Sequence, residues 1–131
     1  MRKPSKKGTH MNKFELSTKM AELTIEALEE KKAEDIRVID ISEISILGDY
    51  FIFASGNNRN QIQAMSDEVE RLMGKNGYPV KQVEGYESAN WVLLDFSDII
   101  VHIFDKENRL FYNLERIWRD GKIVSLGSDP N

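Results

Sequence analysis

WVLLDFSDIIVHIF, residues 91–104, decides the architecture. Two β-branched and aromatic runs, Trp91 to Asp95 and Ile99 to Phe104, are separated only by Phe96-Ser97-Asp98. So few turn residues cannot make a parallel crossover, so the runs form an antiparallel hairpin. Along the first run Trp91, Leu93 and Asp95 alternate with Val92, Leu94 and Phe96, which places apolar side chains on both faces. If Val92 and Leu94 supply the core beneath helices, Trp91 and Leu93 lie on a face that either another helix or a partner must cover. Periodicity alone favours a buried Trp91. An exposed tryptophan beside carboxylates would instead be a strong anchor at a protein interface.

Upstream, Leu16, Met20, Leu23 and Ala27 recur at four- and three-residue steps and predict an amphipathic helix over Phe14–Lys32. Asn12 with Glu15 offers a capping-box start, and Glu22, Glu26, Glu29 and Glu30 form its solvated face, with Lys31 and Lys32 near the end. Ile36–Ile41 and Asp49–Ser55 read as strands joined by a connector at Ser42–Gly48. Gly56-Asn57-Asn58 then caps a helix with the stripe Ile62, Met65, Val69 and Leu72, closed by Gly74 and Gly77. Val80–Val83 is a brief strand, and Gly85 opens the loop into the hairpin. A last helix is expected over Glu107–Arg119, with Leu110, Leu114, Ile117 and Trp118 inward, stopped by Asp120-Gly121 ahead of a loose polar tail. This order predicts an α/β (α+β) fold with a mixed sheet of about five strands and helices packed on it.

The 131 residues suit one domain, expected over residues 12–126 between a leader at 1–11 and a tail at 127–131. The formal charge of −4 averages two unlike parts, because Arg2, Lys3, Lys6 and Lys7 fall in the first ten residues, which hold no acid. Without them, 14 basic residues face 22 acidic ones, a net −8. The leader lacks apolar periodicity, and His10-Met11 reads like a tag junction before an initiator methionine; a tag-derived or disordered leader is expected. No run approaches the roughly 18 apolar residues of a membrane span. With no cysteine, disulfides and thiol chemistry are out of reach, and the cytoplasm is the expected compartment.

Chemistry fares poorly on inspection. The Ser55–Arg59 turn has one glycine and none of the spacing of a phosphate-binding loop. Asp95, Asp98 and Asp105 surround a hairpin whose turn favours aspartate by itself, so they read as turn or interface residues rather than metal ligands. His102 stands in a strand without a second histidine nearby in sequence, which argues against zinc and against a serine triad. No catalytic residue, metal or cofactor is expected. An acidic chain also opposes direct nucleic-acid binding and favours a basic protein partner.

The segment VEGYESANWVLLDFSDIIVHIFDKENRLFYNLERIW, residues 83–118, resembles the ribosomal silencing factor family, also called RsfS or Iojap-like. The matched pattern is Glu84-Gly85, Trp91, Leu93, Asp95, Asp98, Val101-His102, Phe104, Arg109, Tyr112, Leu114-Glu115 and Trp118. The likeness extends over Phe14–Leu126. Ser97 departs from it, since the family usually has glycine in that turn.

The resemblance implies a non-enzymatic translation factor with a nucleotidyltransferase-like fold. Such a factor binds the large ribosomal subunit through ribosomal protein L-fourteen and sterically blocks joining of the small subunit when nutrients are short. Several members are homodimers. Carried onto this chain, the contact surface would comprise Trp91 and Leu93 as apolar anchors, Asp95 and Asp98 as acidic partners, Tyr112 at the edge and Arg109 as a weaker member; Phe104, Leu114 and Trp118 go to the core. The competing expectation is a nucleotidyltransferase-like nucleotide-binding enzyme, which would need a Gly-Ser turn and paired carboxylates for metal ions. Fold likeness alone carries no activity.

Overall fold

The computed structural model describes residues 12–43, 48–107 and 122–124. Its elements are α1 (Lys13–Glu30), β1 (Glu34–Asp40), β2 (Tyr50–Gly56), α2 (Arg59–Lys75), β3 (Gln82–Glu84), β4 (Trp91–Asp95), β5 (Ile99–Asp105) and β6 (Lys122–Val124). The strands form one mixed sheet in the order β3-β4-β5-β2-β1-β6. β2 and β5 run parallel at its centre, from Tyr50 opposite Ile99 to Gly56 opposite Asp105, and every other neighbouring pair is antiparallel.

Central position explains the composition of β2 and β5. A strand covered on both faces reads as a nearly continuous apolar run rather than an alternation, and YFIFASG is buried throughout while IIVHIFD is buried up to its last residue. Ile52, Ala54, Ile99, Val101 and Ile103 face α1 and α2, joined by Val92 and Leu94 of β4. Met20, Ile25 and Leu28 of α1 and Ile62, Met65, Val69 and Met73 of α2 complete this core. The opposite face carries Ile39, Ile41, Phe51, Phe53, Ile100 and Phe104, with Leu93 packed against them.

Local chemistry sets the helix starts. Asn12 Oδ1 accepts from the Glu15 N–H at 2.8 Å and Glu15 Oε1 accepts from the Asn12 N–H at 3.2 Å, the capping box expected from the sequence. Asn58 caps α2 in the same way, accepting from the Gln61 N–H at 2.8 Å. Gly56 lets β2 run under the first turn of α2, since a Cβ there would lie 2.7 Å from Ile62 Cγ1. Its role is close packing rather than ligand binding.

Two expectations change. A sixth strand, Lys122–Val124, pairs with β1 where a loose tail was expected. β1 begins at Glu34 rather than Ile36, passing through an irregularity between Glu34 and Arg37 in which Asp35 has φ +55°. Glu107 lies in a turn whose N–H donates to Asp105 Oδ1 at 3.0 Å, and the remainder of the helix expected over Glu107–Arg119 lies outside the described residues. The leader at 1–11 and the tail at 127–131 also lie outside them.

The β4–β5 turn is closed by the Phe96 N–H donating to the Ile99 carbonyl at 3.0 Å and the Ser97 N–H donating to Asp95 Oδ1 at 2.8 Å. The Asp98 carbonyl accepts from the Asp49 N–H at 2.7 Å, tying the turn to the start of β2. Ser97 itself has φ +76°, a conformation that costs an L-residue about 1–2 kcal/mol. Ser97→Gly should remove that strain against a smaller gain in unfolded-chain entropy, raising unfolding free energy by about 0.5–1 kcal/mol in a urea titration. A loss of stability would contradict this account of the turn.

Candidate functional site

The site is the sheet face turned away from α1 and α2. Val92 and Leu94 are committed to the helix side, so the two-residue period of β4 sends Trp91, Leu93 and Asp95 to the other. Trp91 is 38% exposed, and among the described residues it is the one large hydrophobic side chain that is exposed. This departs from the burial that periodicity favoured. Alternation places a side chain on a face but carries no information about what lies over that face.

Trp91 is exposed yet firmly seated. Its indole stacks on Phe104 with ring centroids 5.7 Å apart, and its Nε1–H donates to His102 Nδ1 at 3.1 Å. His102 is buried, stacked on Phe53 at 5.0 Å and edge-on to Phe51 at 4.8 Å. An indole nitrogen can only donate, so the imidazole is neutral with its proton on Nε2. Burial holds its pKa down from 6.5 to about 3. The rings around it bring no charge to offset that burial.

Cross-strand register adds residues that sequence reasoning passed over. Glu84 is opposite Leu93 and Gln82 is opposite Asp95, while Val83 packs toward the helices. Directly opposed residues share a face, so Glu84 borders Leu93 and Gln82 borders Asp95 on the face that carries Trp91, with Gln82 Nε2 donating to Glu84 Oε2 at 2.6 Å. The signal was present in the lone apolar residue at the middle of β3. The bond from Trp91 to His102 has no such local signal, because it depends on the β4–β5 register, in which Leu93 faces His102 and Trp91 faces Phe104.

Of the residues carried over from the resemblance, Trp91, Leu93 and Asp95 share this face. Leu93 is half-buried against the apolar cluster, and Asp95 is half-buried with one carboxylate oxygen engaged in the turn. Asp98 lies within that turn, beyond the end of β4. Tyr112 and Arg109 lie outside the described residues. The enzyme alternative finds little support in the geometry: Ser55 is buried, Gly56 is packed on Ile62, and Glu68 is bound to Arg71 at 2.7 Å. Asp67 accepts from the Tyr86 hydroxyl at 3.2 Å. Among the described residues no three His, Asp or Glu side chains are grouped to hold a metal ion, and no helix is long and apolar enough to cross a membrane.

Gly85 sets where β4 begins. Its φ is +79°, and a Cβ there would lie 2.2 Å from the Trp91 carbonyl oxygen. Gly85→Ala should therefore lower unfolding free energy by about 2 kcal/mol or more, read by urea denaturation; an unchanged midpoint would contradict this role. The buried imidazole predicts an acid response. Between about pH 6.5 and 3 the unfolded chain binds a proton at His102 that the folded chain does not, so stability falls on acidification by up to about 1.4 kcal/mol per pH unit from this group. His102→Asn should flatten the dependence of unfolding free energy on pH between pH 6.5 and 4.5, and an equal slope in both proteins would contradict the assignment.

The profile of the family described as "Ribosomal silencing factor during starvation" matches residues 15–130. Ribosomal silencing factor RsfS of Bacillus subtilis is 41% identical over 105 residues, covering 80% of this chain and 89% of that protein. The protein of the same name from Halalkalibacterium halodurans is 38% identical over 107 residues, covering 82% and 92%. A crystal structure of a Bacillus halodurans protein superposes with a TM-score of 0.75 at 37% identity, covering 82% of this chain and 98% of that one. Sequence and architecture agree across nearly the full length, and the chain belongs to the ribosomal silencing factor family.

Proposed function

We propose that this chain docks on the large ribosomal subunit through ribosomal protein L-fourteen, using the sheet face around Trp91, and so blocks joining of the small subunit. The observation that carries the reading is the state of Trp91: 38% exposed, yet stacked on Phe104 and hydrogen-bonded to His102. A rigid aromatic side chain held at a surface loses little freedom on binding and makes a large apolar contact. Leu93 extends the apolar patch, and Glu84 and Asp95 border it with acid. Asp98, Arg109 and Tyr112 belong to the proposed surface through the family resemblance.

The action is steric and needs no bond to be made or broken. A factor that binds free large subunits withdraws them from the joining equilibrium by mass action. The net −8 of the chain beyond its first ten residues favours a basic protein over RNA as the contacted surface. Such a factor would work in the cytoplasm, where subunits meet. A homodimer formed through the same face would compete with docking.

Sedimentation with purified large subunits tests the proposal. Trp91→Glu should weaken co-sedimentation at least about 30-fold, the effect of losing an anchor of about 2 kcal/mol, while the circular dichroism spectrum stays that of the folded parent. Full binding by the folded variant would remove the proposed anchor. Higher salt should slow association more than it speeds dissociation, because rim charges act mainly on the encounter.

A further inference from the structure

We propose that His102 is a positioning residue for docking: its Nδ1 acceptor fixes the orientation of the Trp91 indole in the free protein. The proposal rests on the reading of Trp91 as the anchor, and gives the residue behind it a role in docking.

The argument starts from what an imidazole adds at this place. The site is buried and walled by Phe51, Phe53 and Phe104, with ring centroids 4.8, 5.0 and 6.3 Å from that of His102. Phenylalanine or leucine would suit such walls without the cost of burying a polar ring. The imidazole nitrogen instead meets the one polar atom of the Trp91 ring, 3.1 Å away. Its own orientation is restricted on several sides, since it lies 25° from the plane of Phe53 and 10° from that of Phe104. The acceptor is therefore aimed by packing, and it aims the indole in turn.

Stacking alone leaves an aromatic side chain at an edge free to change rotamer; a hydrogen bond at its far end selects one. Trp91 has both, against Phe104 and His102. His102 Nε2 is buried and finds no hydrogen-bond partner among the described residues. The imidazole thus tolerates one unsatisfied nitrogen while its other nitrogen serves Trp91. A residue selected by packing alone would avoid that cost.

The test begins on the unaltered protein. Nitrogen NMR of the His102 ring between pH 5.5 and 8 should show Nδ1 unprotonated and Nε2 protonated throughout; the opposite tautomer, or titration in that range, would overturn the proposal. The Trp91 indole N–H, assigned by its loss in Trp91→Phe, should exchange slowly with water. In His102→Phe it should exchange at least about tenfold faster, and dissociation from purified large subunits should accelerate about three- to tenfold. His102→Asn, whose amide oxygen can stand near the place of Nδ1, should restore both. If indole exchange and dissociation are unchanged in His102→Phe, or if folded His102→Asn behaves like His102→Phe, the proposal fails. Should His102→Phe not fold, the decision falls to the tautomer and to His102→Asn, in which faster exchange or faster dissociation than the parent overturns the proposal. Normal docking by Trp91→Glu would instead defeat the anchor reading, an outcome separate from the indole measurements.

Discussion

Everything in this fold follows from the parallel pairing of β2 with β5 at the centre of the sheet. A parallel pair cannot be closed by a short turn, so the chain between the two strands must leave the sheet and return, and α2, β3 and β4 are built on that excursion. Central strands must also be covered on both faces. The two helices cover one with an aliphatic core, and the other becomes an aromatic layer of Phe51, Phe53, His102 and Phe104. Trp91 lies at the border of that layer, where β4 carries the sheet's apolar surface toward solvent.

The aromatic layer also accounts for the behaviour of His102. A lone imidazole surrounded by rings has no counter-charge to hold a proton, and burial keeps it neutral. Neutrality leaves one nitrogen as an acceptor, and among the described residues the Trp91 indole is the donor it meets. Backbone geometry supports the arrangement from the other direction. Gly85 passes so close to the Trp91 carbonyl that a side chain cannot be accommodated. The Glu84-Gly85 pair thus contributes an acidic border and the close approach that seats β4.

Much of the architecture was legible because local chemistry and periodicity agree. Asn12 with Glu15 marks a helix start and Asn58 marks another. β4 runs from Trp91 to Asp95 as its pattern indicated, since a tight turn ends it. β6 was not legible, because Lys-Ile-Val is too short for periodicity and owes its strand geometry to pairing with β1. The early start of β1 was hidden for a related reason: Asp35 sits at positive φ within the irregularity, and no apolar alternation crosses it. At the site, Trp91 and Leu93 could be put on one face from sequence alone, whereas Trp91's exposure, its bond to His102 and the nearness of Glu84 required strand register. Register is a long-range property, fixed by which strands meet rather than by any one stretch of chain.

The central claim is that the sheet face bearing Trp91 is the surface that meets the ribosome. A cryo-electron microscopy reconstruction of this chain bound to purified large subunits tests it most directly. The account predicts Trp91, Leu93 and the acidic border of Glu84 and Asp95 seated on a basic protein surface, with the exposed sides of α1 and α2 left to solvent. Docking through either helix, or with Trp91 clear of the subunit, would contradict it.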